Sequence, residues 1–300
     1  MTTAARDEPA RFSDRIAGAP ISWGVCEVPG WGPMLDADLV LGDMADLGLR
    51  ATEVGPVGYL PDDPAELAQR LEPFGLRPIA AFLPVVFNPG LPVRERFRAL
   101  AAAASLADAG GEILMVAPIS DRRWSTAGLA GLEEAAALSE DLEGLSASIS
   151  ELGVEMALHP HAGSLVECAD DVERLLGAAI GWCLDTGHLL IGGIDPVGFV
   201  EQLGERIVHV HLKDVDAALI SAVRDGELTL LDATRRGLFR PLGDGDVNLA
   251  GVLRALSEGG YEGWLTIEQD TVLDVPDPSG ARQDVSRSLA FLRDFERAST

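Results

Sequence analysis

The sequence predicts an α/β protein with one domain, a closed (β/α)8 (TIM) barrel. Short, almost wholly apolar runs alternate with longer amphipathic runs, eight of each, along the 300 residues. Strands that are apolar throughout are typical of a parallel sheet covered on both faces. The length suits one such barrel, which usually needs about 250 residues. The rival fold, an open doubly wound sheet, would usually carry a Gly-rich phosphate turn after an early strand, and the sequence has none.

The pattern assigns each element in order. Apolar runs predict strands at residues 19–24, 51–54, 78–83, 113–117, 154–159, 181–185, 207–211 and 263–268. Helical periodicity predicts helices at 36–48, 63–74, 93–109, 129–152, 169–176, 196–203, 247–257 and 279–297. Asp36 is expected to cap the first helix and Gly48 to end it, because these residue types satisfy helix ends.

Two segments fall outside this alternation. The polar residues 1–17 predict a flexible leader, so that the barrel spans residues 18–300. The connection at 213–246 is long for a barrel loop and therefore predicts a functional role, as a lid or an oligomer arm. Its apolar middle is expected to form a helix.

Composition narrows the class of protein. The net charge of −25 argues against nucleic acid and anionic membranes as partners of the protein's body. No run of about 18 apolar residues is present, so no membrane span is expected. The three cysteines, Cys26, Cys168 and Cys183, have no CxxC spacing, which argues against a disulfide scaffold or structural zinc. Together with the lack of an apolar signal segment, this predicts a cytoplasmic protein.

Metal-ligating side chains gather at the ends of the last four predicted strands. All five histidines lie between positions 159 and 211, and His159, Asp185, His211 and Glu268 each fall at the end of a different strand. In a barrel these ends meet at one mouth. A single histidine there would more often bond a loop carbonyl, but four such groups favour a metal site. Two imidazoles and two carboxylates suit Mn²⁺, Co²⁺, Fe²⁺ or Zn²⁺ better than Ca²⁺.

Other polar residues at the mouth allow more than one interpretation. Glu53 could contact substrate or pair with a loop arginine. Trp23 could contact substrate or pack the rim. Lys213 could pair with Asp214, hold a substrate oxygen or transfer a proton. His209 shares a face with His211 and is expected behind it.

Several motifs resemble a known family. A-L-H-P-H-A-G from residue 157, C-L-D-T-G-H from 183, H-V-H-L-K-D-V from 209 and Y-E-G-W-L-T-I-E-Q-D from 261 resemble the xylose-isomerase-like barrel superfamily of sugar isomerases and epimerases. I-S-W-G-V-C-E-V-P-G-W-G from residue 21 is similar to the inosose (2-keto-myo-inositol) dehydratase branch. The resemblance runs from about residue 20 to the last helix. It implies a divalent metal, manganese or cobalt first and zinc, iron or magnesium as alternatives, on Asp185, His211 and Glu268. It also implies a homodimer or homotetramer.

The resemblance has a consequence for the reaction. In the related epimerases the strand-five ligand is a glutamate, and two metal-bound glutamates act as bases on opposite faces of the substrate. This chain has His159 there and keeps only Glu268. Elimination of water needs one base and one acid. We therefore expect a metal-dependent dehydratase for a small-molecule substrate, an inosose of inositol catabolism.

The expected roles divide into two groups. Glu268, or alternatively Lys213, removes the proton, and His161 or His188 protonates the departing hydroxyl. Trp23, Glu53 and Arg240 are expected to bind the substrate.

Four rival functions share the barrel. A ketose epimerase or sugar isomerase would use the same metal without losing water. A 3-dehydroshikimate-type dehydratase is disfavoured because the strand-five glutamate is missing. A metal-dependent nuclease is disfavoured by the charge of −25. A non-enzymatic polyol-binding barrel is disfavoured by the intact set of metal ligands.

Overall fold

Eight parallel strands close into a barrel in the computed structural model, which describes residues 12–87, 90–124 and 128–299. The strands in chain order are β1 (Ile16–Gly18), β2 (Ala51–Glu53), β3 (Arg77–Val86), β4 (Ile113–Ile119), β5 (Glu155–Leu158), β6 (Gly181–Asp185), β7 (Ile207–Leu212), β8 (Asp214–Val215), β9 (Phe239–Arg240) and β10 (Leu265–Ile267). Strands β1 to β7 and β10 form the barrel, in which β10 pairs with β7 and β1, whereas β8 and β9 make a separate antiparallel pair. The predicted closed barrel is confirmed.

Helices cover the outside of the barrel and fill two of its loops. They are α1 (Ala37–Asp46), α2 (Pro64–Leu71), α3 (Val93–Asp108), α4 (Leu132–Ser150), α5 (Ala169–Leu175), α6 (Thr186–Ile191), α7 (Pro196–Leu203), α8 (Ala217–Arg224), α9 (Leu230–Arg235), α10 (Leu249–Glu258) and α11 (Ser279–Ser299). Asp36 caps α1 by accepting a hydrogen bond from the Asp38 amide, as predicted. Within the described ranges, no helix has both the length and the apolar composition needed to cross a membrane.

The first strand differs from the prediction. It spans Ile16–Gly18 rather than residues 19–24, and Pro20–Trp23 form a 3₁₀ turn. Proline fixes φ and lacks an N–H donor, so it ends the ladder early. Of the predicted leader, residues 1–11 lie outside the described residues. Phe12–Arg15 form a short 3₁₀ helix next to β1, and the Arg15 guanidinium donates to the carbonyl oxygens of Tyr261 and Gly263 at 2.9 and 3.0 Å. The chain therefore joins the barrel earlier than predicted.

The long connection after β7 is folded. It contains the expected helix, α8, and in addition α9 and the β8–β9 pair. An apolar cluster under this connection joins it to the loops after β5 and β6. The members of that cluster are Ala162, Ile191, Val215, Ile220, Ala233, Leu238 and Phe239. The connection is thereby packed over one side of the barrel mouth, and its role as a lid or an oligomer arm stays a prediction.

The interior of the barrel is lined by mostly small apolar side chains. The cluster inside the strands consists of Ala17, Ala51, Ile79, Ala80, Ile113, Met115, Ala157 and Cys183. A second, larger apolar cluster fills the space between the strands and the helices. Polar side chains therefore concentrate at the carboxyl ends of the strands, where barrels of this kind carry their sites.

Candidate active site

Donor atoms from four adjacent strands meet at the barrel mouth. His159 Nε2 lies 3.3 Å from His211 Nδ1 and 3.4 Å from Asp185 Oδ2, and the last two atoms are 3.3 Å apart. Glu268 Oε2 lies against His211 Nδ1. The strand register explains this meeting, because Asp185 on β6 stands directly opposite His211 on β7. The structure thus brings together the four side chains expected to bind a metal, and their role as ligands stays a prediction.

The spacing of His159 Nε2, Asp185 Oδ2 and His211 Nδ1, which lie 3.3–3.4 Å from one another, fits a single divalent cation. A cation bound about 2.1 Å from each donor spaces neighbouring donors about 3.0–3.4 Å apart. The side chains of Asp185, His211 and Glu268 are buried, and one donor atom of each lies within 4.8 Å of the others. Glu268 Oε2 is buried and, apart from its ion pair with His211, makes no hydrogen bond to the described residues. A buried carboxylate oxygen with so few partners is suited to a positive ion.

The excess of negative charge around this cluster also favours a bound cation. In the described part of the chain, the carboxylates of Glu53, Asp185, Glu268 and Asp270 are buried here beside the single ammonium of Lys213. Burial alone would lower the pKa of His211, but the charges of Glu268 and Glu53 raise that pKa well above its usual value. A proton on the imidazole therefore offsets part of the negative charge. A metal that takes Nδ1 would displace this proton.

Asp185 uses both carboxylate oxygens. Its Oδ2 belongs to the donor cluster, and its Oδ1 accepts hydrogen bonds from the amides of Gly187 and His188 at 3.0 and 2.8 Å, which caps α6. Burial opposes its ionisation, but Lys213 and nearby histidines hold the pKa of Asp185 well below its usual value. Only glycine fits at 187, since a Cβ there would lie 2.7 Å from Lys213 Cβ. The D-T-G-H motif thus fixes one donor and brings α6 close to the lysine.

Lys213 is buried among three carboxylates. Its Nζ lies 2.8 Å from Asp270 Oδ1 and 3.3 Å from both Asp185 Oδ2 and Glu268 Oε1. It also lies 5.4 Å from the centre of the Phe239 ring. Burial opposes the charge of the ammonium, but the three carboxylates raise the pKa of Lys213 well above its usual value. Lys213 is therefore charged at neutral pH and has no lone pair with which to act as a base.

Lys213 does not pair with Asp214, which was the structural alternative that the sequence left open. The Asp214 carboxylate accepts hydrogen bonds from the amides of Gly243, Gly245 and Val247 at 2.9–3.0 Å. These bonds hold the loop after β9 against β8. The side chains of Lys213 and Asp214 have different partners, because side chains at adjacent positions of an extended chain face opposite sides.

The rings of His161 and His188 pack against each other beside the donor cluster, with ring centres 3.8 Å apart and planes inclined by 36°. His188 Nδ1 accepts a hydrogen bond from the Ala162 amide at 3.4 Å, so the proton of its neutral ring lies on Nε2. His161 Nδ1 donates to the Ala162 carbonyl oxygen at 2.8 Å, which leaves its Nε2 as an acceptor. Burial is the main cause that lowers the pKa of both imidazoles well below the usual value, so both rings are neutral at pH 7.

Glu53 lies against the imidazoles of His209 and His211. Its Oε1 lies 2.8 Å from Nε2 of His211 and 2.8 Å from Nε2 of His209, and the side chain is almost fully buried. The partners are imidazoles and not the loop arginine of one interpretation, and a contact between Glu53 and substrate stays a prediction. The structure does confirm that His209 lies behind His211.

Two further residues expected to bind substrate, Trp23 and Arg240, have side-chain partners of their own. Trp23 is fully buried, and its Nε1 donates to Asp43 Oδ2 at 3.1 Å on α1, which gives it a packing role. Arg240 pairs with Asp216 at 2.9 Å within the connection after β7. The role of both residues in substrate binding stays a prediction.

Sequence reasoning missed Asp270 and Trp124. Asp270 follows Glu268 by two positions, a spacing that puts both on one face of an extended chain and could have identified it. Burial raises the pKa of Asp270 to about 6, against the lowering effect of Lys213. The Trp124 ring lies 4.9 Å from the His161 ring, and the backbone has φ +55°, which is rare for a bulky residue. No local pattern marks Trp124, because its contact is made only in the fold.

Comparisons with known proteins agree with the barrel fold. A family model described as a xylose isomerase-like TIM barrel matches residues 41–295. An inosose dehydratase of Geobacillus kaustophilus is 32% identical over 281 residues, covering 85% of this chain and 87% of that protein. The rhizopine catabolism protein MocC of Rhizobium meliloti is 34% identical over 274 residues, covering 86% and 82%.

Solved structures share the fold at low identity. The IOLI protein, crystallised with a bound zinc atom, has a TM-score of 0.69 at 17% identity and covers 94% of this chain and 97% of its own.

Dehydratases recur among the curated relatives over most of the chain, so this protein is an enzyme of the dehydratase (lyase) class. With its closed barrel and a family match over most of its length, the chain belongs to the xylose isomerase-like TIM barrel family.

Proposed function

We propose that this enzyme is a divalent-cation-dependent dehydratase that removes water from a cyclic polyol ketone, 2-keto-myo-inositol (an inosose), in inositol catabolism. Relatives named inosose dehydratase support the substrate class. The observation that carries the reaction type is the grouping of one carboxylate at the mouth, Glu268, with the neutral imidazoles of His161 and His188. This set provides one base and one acid, which is what an elimination needs.

His159, Asp185, His211 and Glu268 would hold the cation, with Mn²⁺ or Co²⁺ preferred. A mixed set of imidazole and carboxylate donors suits these ions. When bound, the cation supplies Lewis-acid polarisation of the substrate's ketone and neighbouring hydroxyl.

Glu268 is the base that removes the proton next to the ketone. Burial opposes its ionisation, but the charges of His211 and Lys213 lower its pKa, so the carboxylate is ionised at neutral pH. Asp185 cannot replace it, since one oxygen caps α6 and the other lies in the donor cluster. Lys213 cannot replace it because its ammonium stays protonated.

His188 is the group that protonates the departing hydroxyl, and His161 positions it. His188 Nε2 carries a proton and has no hydrogen-bond partner among the described residues. The C–H electron pair forms the new C=C bond, the C–O bond breaks, and the departing hydroxyl leaves as water with the Nε2 proton of His188. Because this imidazole is already neutral, the proton that Glu268 has taken passes through water to its ring in the same step, so that no imidazolate is left, and the enol product rearranges to a diketone.

Incubation of the purified enzyme with 2-keto-myo-inositol and Mn²⁺ tests the proposal. We expect a diketone, detected by its absorbance, with a mass lower by one water. A product of unchanged mass and altered stereochemistry would replace the proposal with an epimerase. No conversion with Mn²⁺, Co²⁺ or Zn²⁺ would refute it.

We also propose that the enzyme acts in the cytoplasm as a homodimer or homotetramer and has no nucleic-acid or membrane partner. Its strongly acidic composition supports the second part of this statement. Light scattering of the purified protein measures its oligomeric state directly, and a monomeric mass would refute the proposed homodimer or homotetramer.

A further inference from the structure

Glu53 is a carboxylate that the fold buries inside the barrel, where an unpaired charge is strongly destabilising. It ends β2, yet its partners belong to β7, and these strands are not neighbours in the barrel. The side chain therefore crosses the interior, where it is only 4% exposed. Removing a carboxylate from water is destabilising by several kcal/mol unless it is paired and hydrogen-bonded. The contacts that Glu53 makes thus have to offset its burial.

Those contacts determine the protonation of His211. Glu53 Oε1 lies 2.8 Å from His211 Nε2 and, as an ionised carboxylate, can only accept. Nε2 must therefore carry a proton. When the ring is neutral, Nδ1 has the free lone pair, and Nδ1 is the atom that faces Asp185 Oδ2 and Glu268 Oε2. The carboxylate sets both the rotation and the tautomer of this ring.

We propose that Glu53 is a positioning residue that orients His211 Nδ1 toward the cation, rather than a residue that contacts substrate. This inference rests on the proposed function only in requiring a cation at the four donors. Carboxylates that hold metal-binding histidines typically contribute 10- to 100-fold to metal affinity. His209 Nε2 donates to the same oxygen at 2.8 Å and thereby holds Glu53 in place.

The variant Glu53→Gln tests this role with cation affinity as the readout. The chelated wild type and E53Q are titrated with Zn²⁺ alone, against a chromophoric chelator of known affinity. A glutamine can turn its NH₂ group toward His211 and so favour the wrong tautomer. We expect Zn²⁺ affinity to fall 10- to 100-fold. Glu95→Gln is the matched control, because Glu95 is also a buried carboxylate with charged partners but lies outside the donor cluster.

Unchanged Zn²⁺ affinity in a folded E53Q protein would overturn the inference. A raised KM for substrate with unchanged affinity for Zn²⁺ would instead assign Glu53 to substrate binding. Equal losses in E53Q and E95Q would show a general effect of instability and would also overturn it. The Zn²⁺ affinity is measured without substrate, so these outcomes can be interpreted even if the dehydratase proposal fails.

A second measurement uses the wild type and decides the matter even if E53Q does not fold. Long-range ¹⁵N–¹H correlation spectra of the histidine-labelled, Zn²⁺-loaded protein report which ring nitrogen carries the proton. We expect His211 to have a protonated Nε2 and a metal-bound Nδ1. A protonated Nδ1, or a metal-bound Nε2, would refute the role of Glu53.

Discussion

Replacing Glu268 with glutamine removes the proposed base while keeping the size of the side chain. In the wild type, Oε1 lies 3.3 Å from Lys213 Nζ, and Oε2 lies against His211 Nδ1. An amide has only one oxygen for these two positions. Its NH₂ group must face either the ammonium or the donor cluster, and in neither place can it accept a proton.

The size of the effect follows from this geometry. A positioned general base contributes about 10²- to 10⁴-fold to a rate, which corresponds to about 3–5 kcal/mol of barrier. Loss of a donor to the cation adds to this. We therefore expect E268Q to lose about 10³-fold or more in turnover. The variant E268D keeps a carboxylate but withdraws it by about 1.5 Å, one C–C bond, and is expected to bind the cation better than E268Q while turning over slowly.

The assay follows diketone formation from 2-keto-myo-inositol at saturating Mn²⁺, so that weaker cation binding does not mask the chemical step. Exchange of the α-proton in D₂O, followed by NMR, isolates proton removal. A near-wild-type rate in E268Q, or undiminished exchange, would remove Glu268 from the mechanism. E95Q serves as the control for folding.

Three more outcomes are expected. His188→Gln should lower kcat by about 10²-fold or more with unchanged Zn²⁺ affinity, since His188 Nδ1 accepts from the Ala162 amide; a weaker affinity would make His188 a ligand. Adding Mn²⁺ at about 100 times its Kd to chelated protein should stabilise it by about 2.7 kcal/mol, and an unchanged Tm would contradict the cation site. Glu95→Gln should destabilise the protein by about 2 kcal/mol at pH 7, because hydrogen bonds from Arg122 and Arg98 are lost. Burial opposes ionisation of Glu95, but these arginines lower its pKa below 4.5. The stability that ionised Glu95 contributes is thus complete above pH 4.5, and it is lost as the pH falls through the lower pKa that Glu95 has in the folded protein. Urea unfolding of both proteins should give a difference that shrinks below pH 4.5, and a constant difference would refute the role of the charge.

The sequence predicted best where the signal is local. β6 and α7 have the predicted bounds, Gly181–Asp185 and Pro196–Leu203, because a short apolar run and an amphipathic segment are each complete within a few residues. The first strand was placed too late because Pro20–Trp23 is apolar but turns. Apolarity predicts burial and does not distinguish a strand from a buried 3₁₀ turn.

The grouping of the four donors was also predictable. Each ends a strand, and the ends of parallel strands in a closed barrel share one mouth. The position of Glu53 was not predictable, since its partners His209 and His211 are 156 and 158 positions away. Nor could the pattern separate Lys213 as a base from Lys213 as a fixed ammonium, a choice that depends on three carboxylates from two other strands.

By itself the sequence determined the alternation of strands and helices, the closed barrel and the set of donors at its mouth, since periodicity and strand ends are encoded over a few residues. Only the tertiary structure decided which atoms face one another, which ring nitrogen of each histidine meets a partner, and that the Glu53 carboxylate contacts two imidazoles from a distant strand. Such contacts cross the barrel interior, and their energies depend on distance and burial that no local pattern contains.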